Sequence, residues 1–574
     1  MSDPKDRIST DVIQPAKISM DRREVLKWLS LAGGSAWTAS LLTRPHSVFA
    51  QTPDASTGDV VEGGTFQMGI ADISSLNPFV SNSQQDSLIL NLLYPAMGTL
   101  NKDSNRHPLL AESWETSEDG MTNTFHIREG FLWEDGTPVT AHDVKFTCDL
   151  EIEQQFSFKT AILAPVESIE VPDDYTVVFN MAQAVATFNY DVAFWFRIMP
   201  KHIWETIEDP KTYANEQPIG CGAFKLSRWS PSQFVELEAR NDYDFPAVGR
   251  PPIIDSVIYR TYPDVNTLVL AFQNGDIDAV PQGLPVDSVD GVKENDEFEV
   301  VRNPSTGYNY IAPNIAENPH LANVQVRQAM AMGIDKDVIL QFIFKGSAGK
   351  MITVVSPVLT AWFNPDVQDW PFDLEAGRQK LEEAGYTDTD DSGFVNVPEE
   401  FGGEDLVLRL SFAANNPNDQ RIAAIVKENW EAMGIGIELD PQENNALYQR
   451  VRFDRDFELY LSGWGIVDNP PRHYYSTYHP SQYQPGSNNL TGIDIPEFSQ
   501  LIEETHFNAD MDSVREGVLR LQEMDHEFLP VFSLYYPEFD LAYNRRWQGF
   551  EVLPGSLLGI ASWQSMVNIN QTPE

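Results

Sequence analysis

Basic residues are scarce in this chain. Only 39 Lys and Arg stand against 85 Asp and Glu, a formal net charge of −46 over 574 residues. A surface this acidic repels phosphate backbones and anionic headgroups, so nucleic acid is a poor partner and a charged bilayer a poor dock. Cysteine is nearly absent, with Cys148 and Cys221 alone. Two thiols make neither a disulfide scaffold nor a Cys-based zinc site, and whether the two pair is open from sequence. Histidine is sparse as well. The ten residues are scattered, with no pair four apart on one helix face, which argues against nickel. No stretch after residue 50 is apolar for long enough to span a bilayer. Internal repeats, a nucleophile elbow, a His-Glu-x-x-His pair and a phosphate-binding loop are lacking too.

Aromatics are plentiful, with 32 Phe, 19 Tyr and 13 Trp in a chain that is 42% apolar, which is enough to bury sizeable cores. At roughly 100–200 residues per domain, the length predicts two to four packing units. Residues 1–50 read as an address rather than as part of a fold. Arg22-Arg23 precedes a weakly apolar run from Trp28 to Leu42, then Arg44, then Val48-Phe49-Ala50 before Gln51. This order resembles a twin-arginine export signal with a small-x-small cut. About 15 mildly apolar residues are short for a membrane anchor. No Cys stands at the cut, the first being Cys148, so the released protein is expected to be soluble, periplasmic or extracellular, and not a Cys-anchored lipoprotein. Residues 1–50 hold seven basic and five acidic residues, so the acidity belongs to the body.

After a polar linker, 51–61, the chain reads as mixed α and β. Leu406, Leu408, Leu410 and Phe412 alternate as a strand, and Ile422, Ile425, Val426, Trp430 and Met433 recur at helical spacing. Gly434 sits where a helix C-cap belongs, and Ile435, Ile437 and Leu439 alternate again. Strand–helix–strand predicts a parallel pair with a right-handed crossover. Asn323 to Phe344 reads as helical with a break at Gly333 and Asp335, and Phe457, Leu459 and Leu461 as a strand ending in Gly463-Trp464. The fold class predicted is α/β.

An ordered set of short motifs carries a family resemblance. Leu109 to Glu115, Asp119-Gly120, Phe125 to Arg128 and Trp133 to Val144 come first. Pro218 to Phe224, Arg240 to Tyr243, Ala271 to Asp278, Val326 to Ala329, Gly333 to Lys336 and Glu383 to Tyr386 follow in order. Together they resemble family 5 extracellular solute-binding proteins, the peptide- and nickel-type receptors of ABC importers, over about 62 to 560. The residues themselves read mostly as packing and turn positions. Trp114, Phe125, Trp133 and Val144 suit a small core, and Arg327 suits a buried or interdomain ion pair. The resemblance implies a type II periplasmic-binding-protein fold, with a discontinuous lobe I (62–97, 216–302 and 531–574), an extra domain (98–215) and an opposing lobe III (303–530). Two chain crossings near 303–307 and 528–534 would form a hinge. It further implies capture of an oligopeptide, or alternatively an oligosaccharide, by a monomer that hands it to ABC permease subunits. No cofactor is expected.

Ligands of α/β sheets bind beyond the carboxyl ends of strands, which points to Trp464 and Asp468 in the loop after the 457–463 strand. Trp464 offers a flat stacking face, and a carboxylate in a closed cleft can hold an ammonium or a polyol. In peptide receptors of this family, an Asp shortly after this Trp holds the ligand's α-ammonium. The spacing here is one residue longer, which weakens the peptide reading. Tyr308 and Tyr474 are further contact candidates that would suit a sugar. Asp388, Asp390, Ser392 and Glu399 match a calcium-loop spacing, although Pro398 stands where the exiting helix would begin. The competing class is a secreted glycoside hydrolase with two carboxylates across a cleft.

Self-repulsion of this size destabilises a compact state unless salt screens it. A saline setting and an ordinary acidic exported protein are both compatible with the composition. If the setting is saline, the melting temperature is expected to climb steadily from low to molar salt, and a flat response rejects that reading.

Overall fold

The computed structural model describes residues 61–572, apart from 82, 101–105, 157–158, 554 and 556–557. The expected export signal with Arg22 and Arg23, and the linker up to residue 60, lie outside the described residues. One sheet of twelve strands runs through both lobes. In lobe I, Thr65–Ile70 pairs in parallel with Ser256–Thr261, which continues antiparallel to Phe234–Ala239 and then Phe224–Ser230. In lobe III, Val407–Ala413 pairs in parallel with Gly436–Gln442 on one side and Leu459–Trp464 on the other. Tyr308–Pro313 runs antiparallel to Leu459–Trp464.

The local chemistry that makes these elements is readable. Helix Pro417–Met433 starts on an Asn416 side-chain cap and stops at Gly434 in the left-handed conformation. Its two flanking strands bury the alternating Leu408, Leu410, Phe412 and Ile437. The break expected near Gly333 separates helix Val324–Met332, capped by Asn323, from helix Lys336–Phe342, capped by Asp335. The Gly-rich segment before Phe224–Ser230 is a close approach. A Cβ on Gly222 would lie 1.9 Å from the carbonyl oxygen of Leu92, at the end of helix Gln84–Leu93.

The element joining the lobes is the long strand Phe532–Asn544. Its first half pairs with Tyr308–Pro313 (Ile311 opposite Phe532), and its second half pairs with Phe298–Pro304 (Pro304 opposite Glu538). The second passage between lobes therefore falls near Tyr536 and Pro537, later than the 528–534 that the family resemblance implies. The buried run Phe532–Tyr535 gives way there to the half-buried Tyr536-Pro537-Glu538, so the passage coincides with a break in the strand's pattern.

The segment 98–215 forms its own four-stranded antiparallel sheet, in the order Ala111–Thr116, Thr122–Ile127, Thr176–Met181, Val166–Asp173. Phe125, Trp133 and Val144 of this segment share one hydrophobic core with Phe66, Leu237 and Met566 of lobe I. Lobe III has separate cores on the two faces of its sheet. Lobe I and the extra domain are thus fused by packing, whereas lobe III meets them through the strand passages, a polar seam and a few apolar contacts, with Phe507 packed on the shared core and Ala186 on a lobe III core.

Arg327 is 1% exposed, and no carboxylate among the described residues pairs with it. Its guanidinium donates instead to carbonyl oxygens of Phe528 (2.6 and 3.0 Å), Leu529 (3.2 Å), Leu321 (2.6 Å) and Ala322 (2.9 Å). The expected ion pair is replaced by a cation closing two helix C-termini, where orphan carbonyls and the helix dipole favour positive charge. Replacing Arg327 by Ala would strand those buried acceptors and is expected to cost about 3 kcal/mol or more in denaturant unfolding; a change under about 1 kcal/mol contradicts the assignment. A second expectation concerns the first hinge passage. A Cβ on Gly307 would lie 2.1 Å from the Trp464 carbonyl oxygen, whereas one on Gly465 meets nothing within 4 Å. Gly307→Ala is expected to lower the melting temperature by several degrees and Gly465→Ala to leave it unchanged; equal effects would contradict this.

Candidate functional site

Strand Leu459–Trp464 ends in Gly463-Trp464-Gly465, with both glycines exposed and the indole half-buried between them. The ring stands edge-on to His473 (5.4 Å between centres, 89°). The Arg452 guanidinium lies 5.7 Å from the Trp464 ring centre and 5.1 Å from that of Tyr448. Arg452 belongs to a short π-helical turn, Arg450–Asp454, and donates to Asn488 Oδ1 (2.7 Å) and the Ser487 carbonyl (3.3 Å). A π-turn re-aims a helical side chain, and such turns recur at functional sites. No carboxylate among the described residues comes within ion-pair distance of Arg452.

The chain then turns into helix Pro470–Tyr478. Asn469, not Asp468, is the cap, accepting from the Arg472 backbone N–H, and two prolines fill the first turn. Asp468 is thereby free for a different set of donors. Its Oδ2 accepts from Arg106 Nη2 at 2.7 Å and from Trp195 Nε1 at 3.1 Å, while Oδ1 accepts from Arg472 Nη2 at 3.1 Å. Arg472 Nε also donates to Asp191 Oδ2 (2.9 Å), which takes a further bond from Asn469 Nδ2 (2.7 Å). The result is two cations and two anions interleaved, Arg106 and Asp191 from the extra domain, Asp468 and Arg472 from lobe III. Side-chain exposure is 5% at Arg106, 4% at Asp191 and 6% at Asp468.

The electrostatics follow from that burial. Burial raises the Asp191 carboxyl above its ordinary range against the pull of Arg472. Asp191 Oδ1 has no hydrogen-bond partner, which adds to the cost of its charge. Burial lowers Arg106, opposed chiefly by Asp468. Burial also acts to lower Arg472, but Asp191 and Asp468 outweigh it and hold that guanidinium above its usual value. His473 is pushed down to about 3 by burial and then by Arg472, so the imidazole is neutral where it meets the Tyr308 hydroxyl at 3.0 Å.

Of the four contact candidates expected from sequence, only Trp464 is at an open surface. Asp468 sits in the ion cluster. Tyr308 and Tyr474 are both 0% exposed and belong to a lobe III core. The Tyr474 hydroxyl donates to Asp525 Oδ2 (3.3 Å), and burial raises that carboxyl to about 7. In this conformation the two tyrosines pack the lobe and do not line a gap, because the aromatic run that sequence offers to a sugar faces inward. The residues missed were Arg106, Asp191, Trp195 and Arg452. Arg472 stands four residues after Asp468, a spacing that could have revealed it.

A cavity of about 440 Å³ lies at the other end of strand Leu459–Trp464, around Arg409, Asp456 and Glu458. Its charges answer one another, with Arg409 Nη2 donating to Asp456 at 2.5 Å and the Arg409 backbone to Glu458 at 2.8 Å. It is far from Trp464, a strand's length away, and nothing in it points to the lobe interface. The acidic loop at 388–399 turns onto its own backbone. Asp388 accepts from Gly393 N and Asp390 from Ser392 N. Among the described residues, no three His, Cys, Asp or Glu side chains converge as a metal site. Cys148 and Cys221 are free and buried.

Residues 105–485 match the model of the bacterial extracellular solute-binding proteins, family 5. The oligopeptide-binding protein AppA of Bacillus subtilis is 26% identical over 519 residues, covering 88% of this chain and 93% of that protein. The dipeptide-binding protein of Escherichia coli is 24% identical over 469 residues, covering 78% and 84%. The solved structure of AppA in complex with a nonapeptide superposes with a TM-score of 0.73 at 24% identity, over 90% of this chain and 100% of that one. The substrate-binding protein CtaP of Listeria monocytogenes gives 0.77 at 23%, over 89% and 100%. These likenesses confirm the type II periplasmic-binding-protein fold. The chain belongs to the family 5 extracellular solute-binding proteins, whose members are binding receptors and not enzymes.

Proposed function

We propose that this chain is the extracytoplasmic receptor of an ABC importer, capturing an oligopeptide or similar solute beside Trp464 and delivering it to permease subunits in the membrane. The observation that carries the reading is the half-buried indole between two exposed glycines, at the carboxyl end of a lobe III strand and next to the seam with the extra domain. Arg452 beside that ring supplies a positive charge without a carboxylate partner, which suits a ligand carboxylate or acidic side chain. The named specificities of AppA and of the dipeptide-binding protein support a peptide. The fused core of lobe I and the extra domain supports two moving bodies, 62–302 with the C-terminal segment against 303–530, closing about the two strand passages. Arg22-Arg23 supports export by the twin-arginine route. Among the described residues, no helix is long and apolar enough to cross a membrane.

The oligosaccharide alternative loses its main support, because Tyr308 and Tyr474 are enclosed. The hydrolase alternative falls with the family assignment.

Trp464→Ala is the test. Against a random pool of tripeptides to nonapeptides, native mass spectrometry is expected to show at least about tenfold weaker capture, since losing a stacked aromatic anchor costs roughly 2 kcal/mol. The melting temperature should stay near that of the wild type. Unchanged capture would remove Trp464 from the site, and no capture by the wild type would remove peptides as the ligand class.

A further inference from the structure

Helix Pro470–Tyr478 begins against the extra domain, and the bonds across that boundary are specific. Arg472 Nε donates to Asp191 Oδ2 at 2.9 Å. Asn469 Nδ2 donates to the same oxygen at 2.7 Å and to Thr187 Oγ1 at 3.0 Å. The Ala186 N–H donates to the Asn508 carbonyl at 2.7 Å, a backbone bond from the extra domain to lobe III. A Cβ on Gly120 would stand 2.9 Å from that of Ala509. These contacts tie together two bodies whose hydrophobic cores are largely separate. Lobe I, by contrast, meets lobe III through Asp287 and Lys345, 2.5 Å apart but both exposed, and exposed pairs hold little.

Arg472 is the keystone of the seam. Its guanidinium bonds Asp191 across the boundary and Asp468 within lobe III. With it, two cations face two anions. Without it, Asp191 and Asp468 share Arg106 alone, and one buried negative charge goes uncompensated, which is the costly way to break a buried pair. In an open form water solvates both carboxylates, so the same loss costs little there. The penalty of losing Arg472 therefore falls on the closed arrangement.

We propose that Asp191 and Arg472, with Asn469, form a latch by which the extra domain grips lobe III: the bonds are made when the bodies close and must break before a solute leaves, so the latch sets how long a solute is held. This rests on the reading of the chain as a closing receptor, and it does not depend on which solute is taken. Arg472 is a positioning residue, acting on the solute through closure alone.

The experiment compares wild type, Arg472→Met and the double variant Asp191→Asn with Arg472→Gln, which leaves Arg106 and Asp468 in balance. Release of the peptide pool is followed by native mass spectrometry after dilution. Hydrogen exchange is followed at the Ala186 amide, which reports the seam with or without a solute. Arg472→Met is expected to release the pool at least about tenfold faster and to lose at least about tenfold of the Ala186 protection, with helix Pro417–Met433 unchanged. The double variant is expected to return to within about threefold of wild type in both. Wild-type release and exchange in Arg472→Met overturn the latch and leave the receptor reading standing, as does a double variant no slower than Arg472→Met. Equal loss of protection at Ala186 and in helix Pro417–Met433 also overturns it, because the pair then belongs to a fixed interface. If none of the three proteins binds the pool, the peptide reading fails by itself, and Ala186 exchange in unloaded protein decides: a gain of about tenfold in Arg472→Met supports the latch and no difference overturns it. Should Arg472→Met not fold, Arg472→Lys, which keeps the charge but not the two-sided grip, replaces it with the same direction expected and the same overturning result.

Discussion

A single strand, Phe532–Asn544, is paired on both sides of the molecule's waist, and the architecture depends on that sharing. Its first residues complete the lobe III sheet against Tyr308–Pro313, and its last complete lobe I against Phe298–Pro304. Backbone hydrogen bonds are obligatory, so the two passages cannot drift apart. Around Tyr536 and Pro537 the strand still pairs, with Ala348–Lys350, and the Ser305 N–H donates to the Pro537 carbonyl, which ties the two passages to each other. The hydrophobic cores are divided at the same place. Lobe I and the extra domain share one apolar interior, while lobe III keeps its own on each face of the sheet. Rigid bodies joined by a narrow pleated waist are the physical requirement for a receptor that encloses its solute.

The seam between the bodies is polar where the cores are not. Arg106, Asp191, Asp468 and Arg472 alternate in sign, the first three almost wholly buried and Arg472 partly exposed. Such a cluster is poor evidence for raw stability, because desolvation consumes most of the Coulomb gain. It is good evidence for geometry, because charges this dry tolerate only the arrangement that satisfies them. It also redirects the chemistry of the site. Asp468 is neutralised from within, and Arg452, 5.7 Å from the indole centre, has no carboxylate within ion-pair distance among the described residues.

Much of the fold was legible in the sequence because it is built from local signals. The 407–442 strand–helix–strand unit, the caps at Asn323, Asp335 and Asn416, and the Gly434 stop all follow from side-chain periodicity and turn chemistry. The ordered motifs led to the family for the same reason, since glycines such as Gly222 mark backbone contacts that admit no side chain. Trp464 was legible as a strand-end aromatic. What escaped depends on partners remote in sequence. Nothing near Asp468 announces Arg106, and nothing near Arg327 announces the Phe528 and Leu529 carbonyls that replace an ion pair. Tyr308 and Tyr474 were misjudged because an aromatic at a strand start or inside a short helix looks the same whether it faces a gap or a core. The change of lobe was hidden because one strand continues through the half-buried Tyr536-Pro537-Glu538.

The central claim is that two bodies close over a solute about this shared waist. Small-angle X-ray scattering on receptor freed of co-purifying small molecules, and again with the peptide pool added, tests it most directly. The account requires a smaller radius of gyration in the bound state, and an identical scattering curve for free and demonstrably loaded protein would contradict it.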